Sequence, residues 1–348
     1  MIAAVSLDQI TAAGARVQLM EGSSAAGLLR RAAWRTGNRV AQLVQHWMVW
    51  RGRQLLARGD VGAQARFIAD MRRYYDILEK PTAAVAAMID AEAVRAPGPR
   101  LGLPAPPTPA EWFAPRKGEP RGCVFYVHGG SFIAERSPRI TALVARFAAA
   151  AGARVFAPNY RLAPEHPCPC AVEDVVAAYR WFKETSPEEP VVALAESAGA
   201  AVLLAALQRL RDEGDELPGG IVLLSPWVDL ALQSWSVITA SLAASTPHTM
   251  QSLALLAQLY LNGRSAVDPV ASPLYGDFAG FPPMLIHASR ADLLYDDAVR
   301  LAERVREANG DLTLRLWTEE NHVWERKEGA EARRSIALAA EFIRRRLD

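Results

Sequence analysis

The sequence predicts an α/β fold, in which a mostly parallel central sheet is flanked by helices. From residue 123 onward, short apolar runs alternate with longer segments whose apolar residues recur at helical spacing. Buried strands that alternate with helices indicate a parallel sheet covered on both faces. The chain has 348 residues, of which 51% are hydrophobic, so it can bury a large core.

Each element of this alternation can be placed from its pattern. The predicted strands are residues 123–127, 154–157, 191–194, 221–224, 284–288 and 312–317. The predicted helices between and after them are residues 140–151, 171–185, 198–211, 296–308 and 330–347.

The N-terminal part of the chain follows another pattern. Residues 1–95 show helical periodicity and no strand signal. Residues 96–120 are rich in proline, which is typical of a linker, with one or two short edge strands expected near 112–115. We therefore expect residues 1–100 to form an N-terminal helical cap region with a Pro-rich linker.

From residue 123 onward, the alternation of strands and helices is interrupted once. Between residues 227 and 282 no strand is evident, and residues 250–262 have a helical pattern. That interval is too long for an ordinary connection, so it is expected to contribute to a lid. Residues 101–348 are therefore predicted to form the main α/β domain, with a cap insertion at 231–266.

Charge and targeting signals narrow the class of protein. The chain has 39 basic and 38 acidic residues, a formal charge of +1, which does not favour nucleic acid or an anionic membrane as partner. Trp47 and Trp50 lie on an amphipathic segment that could touch a membrane surface, but such segments more often pack on the protein. The first twenty residues do not resemble a signal peptide, and no apolar stretch would span a bilayer. We expect no membrane contact and a cytoplasmic location.

The cysteines do not indicate a disulfide framework or a metal site. Cys123, Cys168 and Cys170 are an odd, small number for a chain of this length. Cys168 and Cys170 flank a proline, and no His/Cys cluster accompanies them. Free thiols are expected, without a metal.

A serine follows one of the buried strands. The strand at 191–194 leads into Ala195-Glu196-Ser197-Ala198, and a helix starts at once. A tight strand-to-helix turn exposes a serine hydroxyl, and the helix N-terminus offers N–H groups to developing negative charge. A helix-capping serine is the alternative when this segment is taken alone. The context predicts Ser197 as a nucleophile.

A pair of glycines follows an earlier strand. The strand at 123–127 ends in His128-Gly129-Gly130. Paired glycines after a strand can turn backbone N–H groups toward one point, as an oxyanion hole requires. We predict the N–H groups of Gly129, Gly130 and Ala198 as the donors. His128 is expected to orient the loop and not to act as a base.

A carboxylate and a histidine follow two later strands in the expected order. Asp292 comes after the strand at 284–288, and His322 after the strand at 312–317. Both positions lie at the carboxyl edge of the sheet, where sites of α/β proteins form. Asp292 would orient His322, which would accept the Ser197 proton and later deliver it to the leaving group.

Other candidates for these two roles have simpler explanations. Asp296 and Asp297 begin a predicted helix, where carboxylates cap the N-terminus. His46, His248 and His287 lie on the N-terminal helix, in the insertion and within a strand, so packed or surface roles are expected.

The chain resembles the bacterial hormone-sensitive lipase family of α/β-hydrolases over roughly residues 110–348. The motifs that carry the resemblance are, in chain order, residues 128–132, 159–167, 195–199, 224–230, 268–274, the Asp292 segment and His322. The resemblance implies a serine carboxylic-ester hydrolase that acts on short or medium acyl esters or lactones without a cofactor. It also implies a small-molecule substrate and a cap that forms the acyl pocket. The sequence leaves the oligomeric state open, with a homodimer as one possibility.

Three of these motifs, at four positions, depart from the family pattern. Ala195-Glu196 stands where the family has Gly-Asp, Ser131 replaces a third glycine, and Leu293 replaces a proline. None of these departures removes a reacting group. An acyltransferase or biosynthetic enzyme using the same residues, or a non-catalytic ligand-binding homologue, remains an alternative. Within 159–167, Arg161 is expected to pair with Glu165 or Glu173 inside the fold.

Overall fold

The computed structural model describes residues 16–20, 42–43, 46–52, 54, 61–78, 93–96, 108–242, 248–318 and 320–348. The strands are β1 Arg16–Met20, β2 Ala93–Ala96, β3 Ala110–Pro115, β4 Cys123–Val127, β5 Arg154–Pro158, β6 Val191–Glu196, β7 Ile221–Leu224, β8 Met284–Ser289 and β9 Leu312–Trp317. The helices are α1 Val61–Leu78, α2 Pro138–Ala151, α3 Cys170–Thr185, α4 Ala198–Asp212, α5 Trp235–Leu242, α6 Met250–Leu261, α7 Tyr295–Glu307 and α8 Ala330–Leu347. Short 3₁₀ turns lie at Pro273–Tyr275 and Trp324–Arg326.

The strands form one sheet in the order β1-β9-β8-β7-β6-β4-β5-β3-β2. Neighbours from β1 through β5 in that order pair in parallel, whereas β3 and β2 add an antiparallel edge. Every residue of β4, β6, β7 and β8 is buried, because helices cover both faces of the sheet. The predicted α/β fold and its six buried strands are confirmed.

The N-terminal region contains strands that the sequence analysis missed. β1 pairs in parallel with β9, and β2 pairs antiparallel with β3. The expectation that residues 1–95 carry no strand was therefore wrong. β1 is five residues long and has polar Arg16 and Gln18 in alternation, as an edge strand tolerates. So short a run is outweighed in any sequence window that also covers the predicted helical periodicity around it.

Local sequence signals explain where the helices begin and end. At the start of α2, Ser137 Oγ accepts the N–H of Ile140 at 3.3 Å, and Pro138 occupies the first helical position. α2 ends at Gly152, whose φ of +62° is easily reached without a side chain. Such caps contribute about 1 kcal/mol each.

The insertion between β7 and β8 carries α5 and α6, and described N-terminal residues pack against both. Gln42 Nε2 donates to the Ser241 carbonyl at 3.1 Å. A Cβ added at Gly52 would lie 2.6 Å from the Phe67 ring and 3.3 Å from Leu255 of α6. The N-terminal helical segments and the insertion are therefore in close contact.

The tryptophans of the helical segment 46–52 do not pack inward. Met48 and Val49 are buried, whereas Trp47 and Trp50 are more than half exposed. Arg51 lies over the Trp47 ring at 5.2 Å. In the part of the chain that the structure describes, no helix combines the length and the apolar character needed to cross a membrane.

Candidate active site

Ser197 occupies a strained turn between β6 and α4. Its φ is +53° and its ψ is −128°, a conformation that costs a non-glycine residue on the order of 1–3 kcal/mol. Backbone hydrogen bonds hold the turn: Ser197 N–H donates to the Leu224 carbonyl, and the Ser197 carbonyl accepts from Trp227 N–H, both at 3.0 Å. The neighbouring strand therefore fixes the direction of the Ser197 side chain.

Ser197, His322 and Asp292 form a continuous chain of hydrogen-bonding atoms. Ser197 Oγ lies 2.9 Å from His322 Nε2, and His322 Nδ1 lies 2.9 Å from Asp292 Oδ2. Asp292 is 2% exposed, whereas the His322 side chain is 16% exposed. The structure thus brings together the three side chains that the sequence predicts.

The environment of Asp292 keeps it ionised. Burial by itself would raise the pKa of this carboxyl, but His322 and hydrogen bonds from Leu294 N–H and the Ser225 hydroxyl hold the pKa below its usual value. An ionised carboxylate at this place accepts Nδ1–H of His322, which leaves Nε2 unprotonated toward Ser197.

Ser225 is a site residue that sequence reasoning did not single out. It follows β7 with a φ of +44°, and its N–H donates to the His287 carbonyl at 2.8 Å. Its Oγ accepts the N–H of Val323 at 3.2 Å, directly after His322. Ser225 therefore connects Asp292 to the His322 loop. Its position at the carboxyl end of a predicted buried strand is the signal that could have identified it.

The oxyanion loop, residues 128–132, offers a different set of donors from the one expected. Gly129 N–H donates to Glu196 Oε1 at 2.8 Å, so it is engaged within the protein. The expectation that Gly129 serves as an oxyanion donor does not hold in this structure. In contrast, the N–H groups of Gly130 and Ala198 have no acceptor among the described residues.

The oxyanion loop and the turn at Ser197 are in direct backbone contact. A Cβ at Gly199 would lie 2.4 Å from the carbonyl oxygens of Val127 and His128. A Cβ at Gly129 would lie 2.8 Å from the Glu196 carbonyl. Glycine at these two positions allows the close approach that places the loop beside Ser197.

His128 is a neutral residue that orients the oxyanion loop. Its ring stacks on Tyr160 with centroids 4.3 Å apart, and Tyr160 Oη donates to the His128 carbonyl at 2.6 Å. Burial lowers the pKa of His128 to about 3, and its Nδ1 lies 2.6 Å from the Gly129 carbonyl. These contacts agree with the expected orienting role and not with a role as base.

In the charged segment 159–167, Arg161 pairs with Glu173, one of its two expected partners, and not with Glu165. Arg161 binds Asp174 at 2.8 Å and Glu173 at 3.4 Å, at the surface. Glu165 instead pairs with Arg72 of α1 at 2.6 Å. The expected pairing with Glu165 inside the fold was therefore wrong, because α1 supplies a nearer cation.

Arg72 also joins α1 to the oxyanion region. Its Nε donates to the Ile133 carbonyl at 2.8 Å, one residue beyond the oxyanion loop. Phe132, the last residue of that loop, stacks on Tyr260 of α6 with centroids 4.0 Å apart and contacts Trp227 at 5.3 Å. The insertion thus contacts the oxyanion loop, and α1 contacts the residue that follows it.

The fold together with this arrangement defines an α/β-hydrolase. Residues 124–326 match a family described by the alpha/beta hydrolase fold. An acetyl-hydrolase of Streptomyces hygroscopicus is 40% identical over 238 residues, which cover 68% of this chain and 79% of that protein. An esterase of Acinetobacter venetianus is 29% identical over 63% of this chain and 73% of that protein.

Solved structures give a narrower assignment. The crystal structure of an esterase from the bacterial hormone-sensitive lipase family aligns with a TM-score of 0.72 at 32% identity, over 87% of this chain and 98% of that chain. The hormone-sensitive lipase homologue EstE7, from a metagenome library, aligns with a TM-score of 0.67 at 30% identity, over 81% and 99%. The chain belongs to the bacterial hormone-sensitive lipase family of α/β-hydrolases, and it is a carboxylesterase-type hydrolase.

Proposed function

We propose that this esterase hydrolyses carboxylic esters of short to medium acyl chains through an acyl-enzyme on Ser197. The observation that carries the proposal is the pair of 2.9 Å contacts that joins Ser197 Oγ to His322 and His322 to Asp292. An intact chain of this kind also argues against a non-catalytic binding protein. Lactones, as cyclic esters, belong to the same proposed substrate class.

Each side chain has one proposed role in the reaction. His322 Nε2 accepts the hydroxyl proton as Ser197 Oγ attacks the ester carbonyl, and Asp292 stabilises the resulting imidazolium. Gly130 and Ala198 N–H groups stabilise the tetrahedral oxyanion. His322 then donates its proton to the leaving alcohol, and a water repeats the sequence to release the acid.

The predicted domain division extends this proposal to substrate access. We propose that residues 1–100 and 231–266 form a cap over the site. The contacts of Arg72 with Ile133 and of Tyr260 with Phe132 support this, because both join the cap to the oxyanion region. The relative named acetyl-hydrolase supports the short end of the acyl range.

The homodimer and the cytoplasmic location stay predictions. Sedimentation would check the first and cell fractionation the second.

A substrate series tests the proposed function. Hydrolysis of p-nitrophenyl esters from acetate to decanoate, with a lactone panel alongside, should show a maximum among the shorter acyl chains. A fluorophosphonate should label the wild-type protein at Ser197 and should not label Ser197→Ala. Ser186→Ala, at the end of α3 and outside the proposed cap, is the control serine and should be labelled as the wild type is.

Two outcomes would contradict the proposal. Absence of both turnover and labelling in the folded wild-type protein would contradict any Ser197 hydrolase. Turnover that rises with added alcohol and yields a new ester in place of the acid would instead assign acyl transfer.

A further inference from the structure

The residue before Ser197 is a fully buried carboxylate with contacts on both of its oxygens. Glu196 is 0% exposed. Its Oε1 accepts the N–H of Gly129 at 2.8 Å and the hydroxyl of Tyr126 at 3.2 Å. Its Oε2 pairs with Arg326. These partners come from three separate parts of the chain: β4, the oxyanion loop and the turn Trp324–Arg326.

The pairing with Arg326 reaches the loop that carries His322. Arg326 lies four residues beyond His322, and its side chain is 12% exposed. Its N–H donates to the Val323 carbonyl at 3.1 Å, so the pair is fixed to the residue that adjoins His322. A cation held at this point limits how far the His322 loop can move away from Ser197.

The contact between Glu196 and Gly129 fixes the position of the oxyanion loop, as the pair with Arg326 does for the loop that carries His322. The Glu196 carboxylate oxygens would lie 2.8 and 3.0 Å from a Cβ at Gly129, so only glycine leaves room for them. By accepting Gly129 N–H, Glu196 fixes the peptide between His128 and Gly129, which adjoins the peptide that carries the Gly130 N–H. The Gly130 N–H, at a φ of +120°, keeps no acceptor among the described residues and stays available for a ligand.

We propose that Glu196 is a positioning residue that sets the oxyanion loop and the His322 loop against Ser197 at the same time. The inference rests on the proposed function of Ser197 and His322. A buried carboxylate is strongly unfavourable without a charged partner, so Glu196 and Arg326 stabilise each other and hold the two loops at one separation. Glu196 stands where the family pattern has Asp, and its charged partner is Arg326, 130 residues later in the chain.

The proposal is tested with Glu196→Gln, Arg326→Gln and the double variant. Glutamine keeps an acceptor for Gly129 but removes the charge that binds Arg326. With p-nitrophenyl acetate, each single variant should lower kcat by about 10- to 100-fold through misplaced reacting groups, with KM within about threefold of the wild type. The double variant should be no more than about threefold worse than either single variant, because both changes break the same contact.

A control separates positioning from general stability. Arg154 pairs with Glu189 in a partly buried contact between β5 and the segment before β6, away from Ser197. Arg154→Gln should lower the thermal midpoint and leave kcat unchanged. Fluorophosphonate titration before each assay counts the folded sites, so that kcat refers to competent protein. If Glu196→Gln fails to fold, Arg326→Lys replaces it and should give a kcat between those of the wild type and Arg326→Gln.

With an active wild type, any of three results would overturn the proposal. The first is a kcat of folded Glu196→Gln within twofold (about 0.4 kcal/mol) of the wild type. The others are a loss of kcat in the double variant equal to the product of the two single losses, or a kcat of Arg326→Lys no higher than that of Arg326→Gln. An inactive, unlabelled wild type would instead refute the proposed function itself.

Discussion

Asp292 and His322 are joined by a 2.9 Å contact between Oδ2 and Nδ1, although they lie 30 residues apart in the chain. The contact selects the tautomer of His322 that faces Ser197 with an unprotonated nitrogen. Asp292→Asn offers an amide that can turn its donor toward Nδ1 and favour the wrong tautomer. We expect kcat to fall by about 10⁴-fold, with the fold intact by circular dichroism.

The control for Asp292→Asn is Asp277→Asn, which changes an exposed carboxylate paired with Arg211. It should keep wild-type kcat. A loss below about tenfold in Asp292→Asn would show that His322 is oriented by another group.

Ser197 and His322 act in one proton transfer, so their losses are expected not to add. Ser197→Ala and His322→Ala should each lower kcat by about 10⁴- to 10⁶-fold, and the double variant should be no slower than the slower single variant. The measurement is steady-state hydrolysis of p-nitrophenyl acetate, with the concentration of each variant taken from its absorbance and its folding checked by circular dichroism. A double variant whose loss is the product of the two single losses would mean that the residues act in separate steps.

Gly199 is predicted to be intolerant of a side chain. A Cβ there would lie 2.4 Å from two carbonyl oxygens of the segment that begins the oxyanion loop. Gly199→Ala should therefore push that loop away from Ser197, lower kcat and cost about 1–3 kcal/mol of stability. At Gly329, a Cβ would meet nothing within 4 Å, so Gly329→Ala is the matched control. Equal activity and equal thermal midpoints for both variants would refute the steric argument.

A second buried carboxyl, Glu325, gives a prediction for the pH dependence of stability. Ser335 Oγ donates to Glu325 Oε1 at 2.5 Å, and His287 Nδ1 lies 2.7 Å from Ser335 Oγ. Burial raises the pKa of Glu325 to about 7 and lowers the pKa of His287 to about 3. His287 is therefore neutral, and its 4.0 Å approach to Glu325 is not an ion pair near neutral pH.

The sign of the effect follows from the raised pKa. The folded protein binds the Glu325 proton more tightly than the unfolded chain does, so stability falls as pH rises from about 4.5 to about 7 and is constant above. Glu325→Gln removes this dependence and should stabilise the protein at pH 8 by about 3 kcal/mol, but little at pH 5.

Thermal unfolding of wild type and Glu325→Gln at pH 5 and pH 8 measures this effect. Asp297, whose pKa burial also raises to about 7, is the same in both proteins, so its contribution cancels in the difference. A difference between the two proteins that is equal at both pH values would contradict the argument.

Residues that follow buried strands could be found from the sequence alone. A short apolar run predicts the strand, and the end of the run predicts where the carboxyl end of the strand lies. Ser197, Asp292 and His322 each stand at such an end, and their order in the chain completed the assignment. Gly129 was misassigned because its N–H is engaged by Glu196, a contact that no local pattern reveals. Arg326 was missed for the same reason, since its partner lies 130 residues earlier.

The short strand β1 has a consequence for how the protein is made. Its Gln18 accepts from Arg315 of β9 at 3.0 Å, across 297 positions of the chain. Among the strands that the structure describes, β1 leaves the ribosome first, and its one described neighbour, β9, is synthesised last. During most of translation β1 therefore cannot pair with β9. The edge of β9 on which β1 pairs is covered only in a late step of folding.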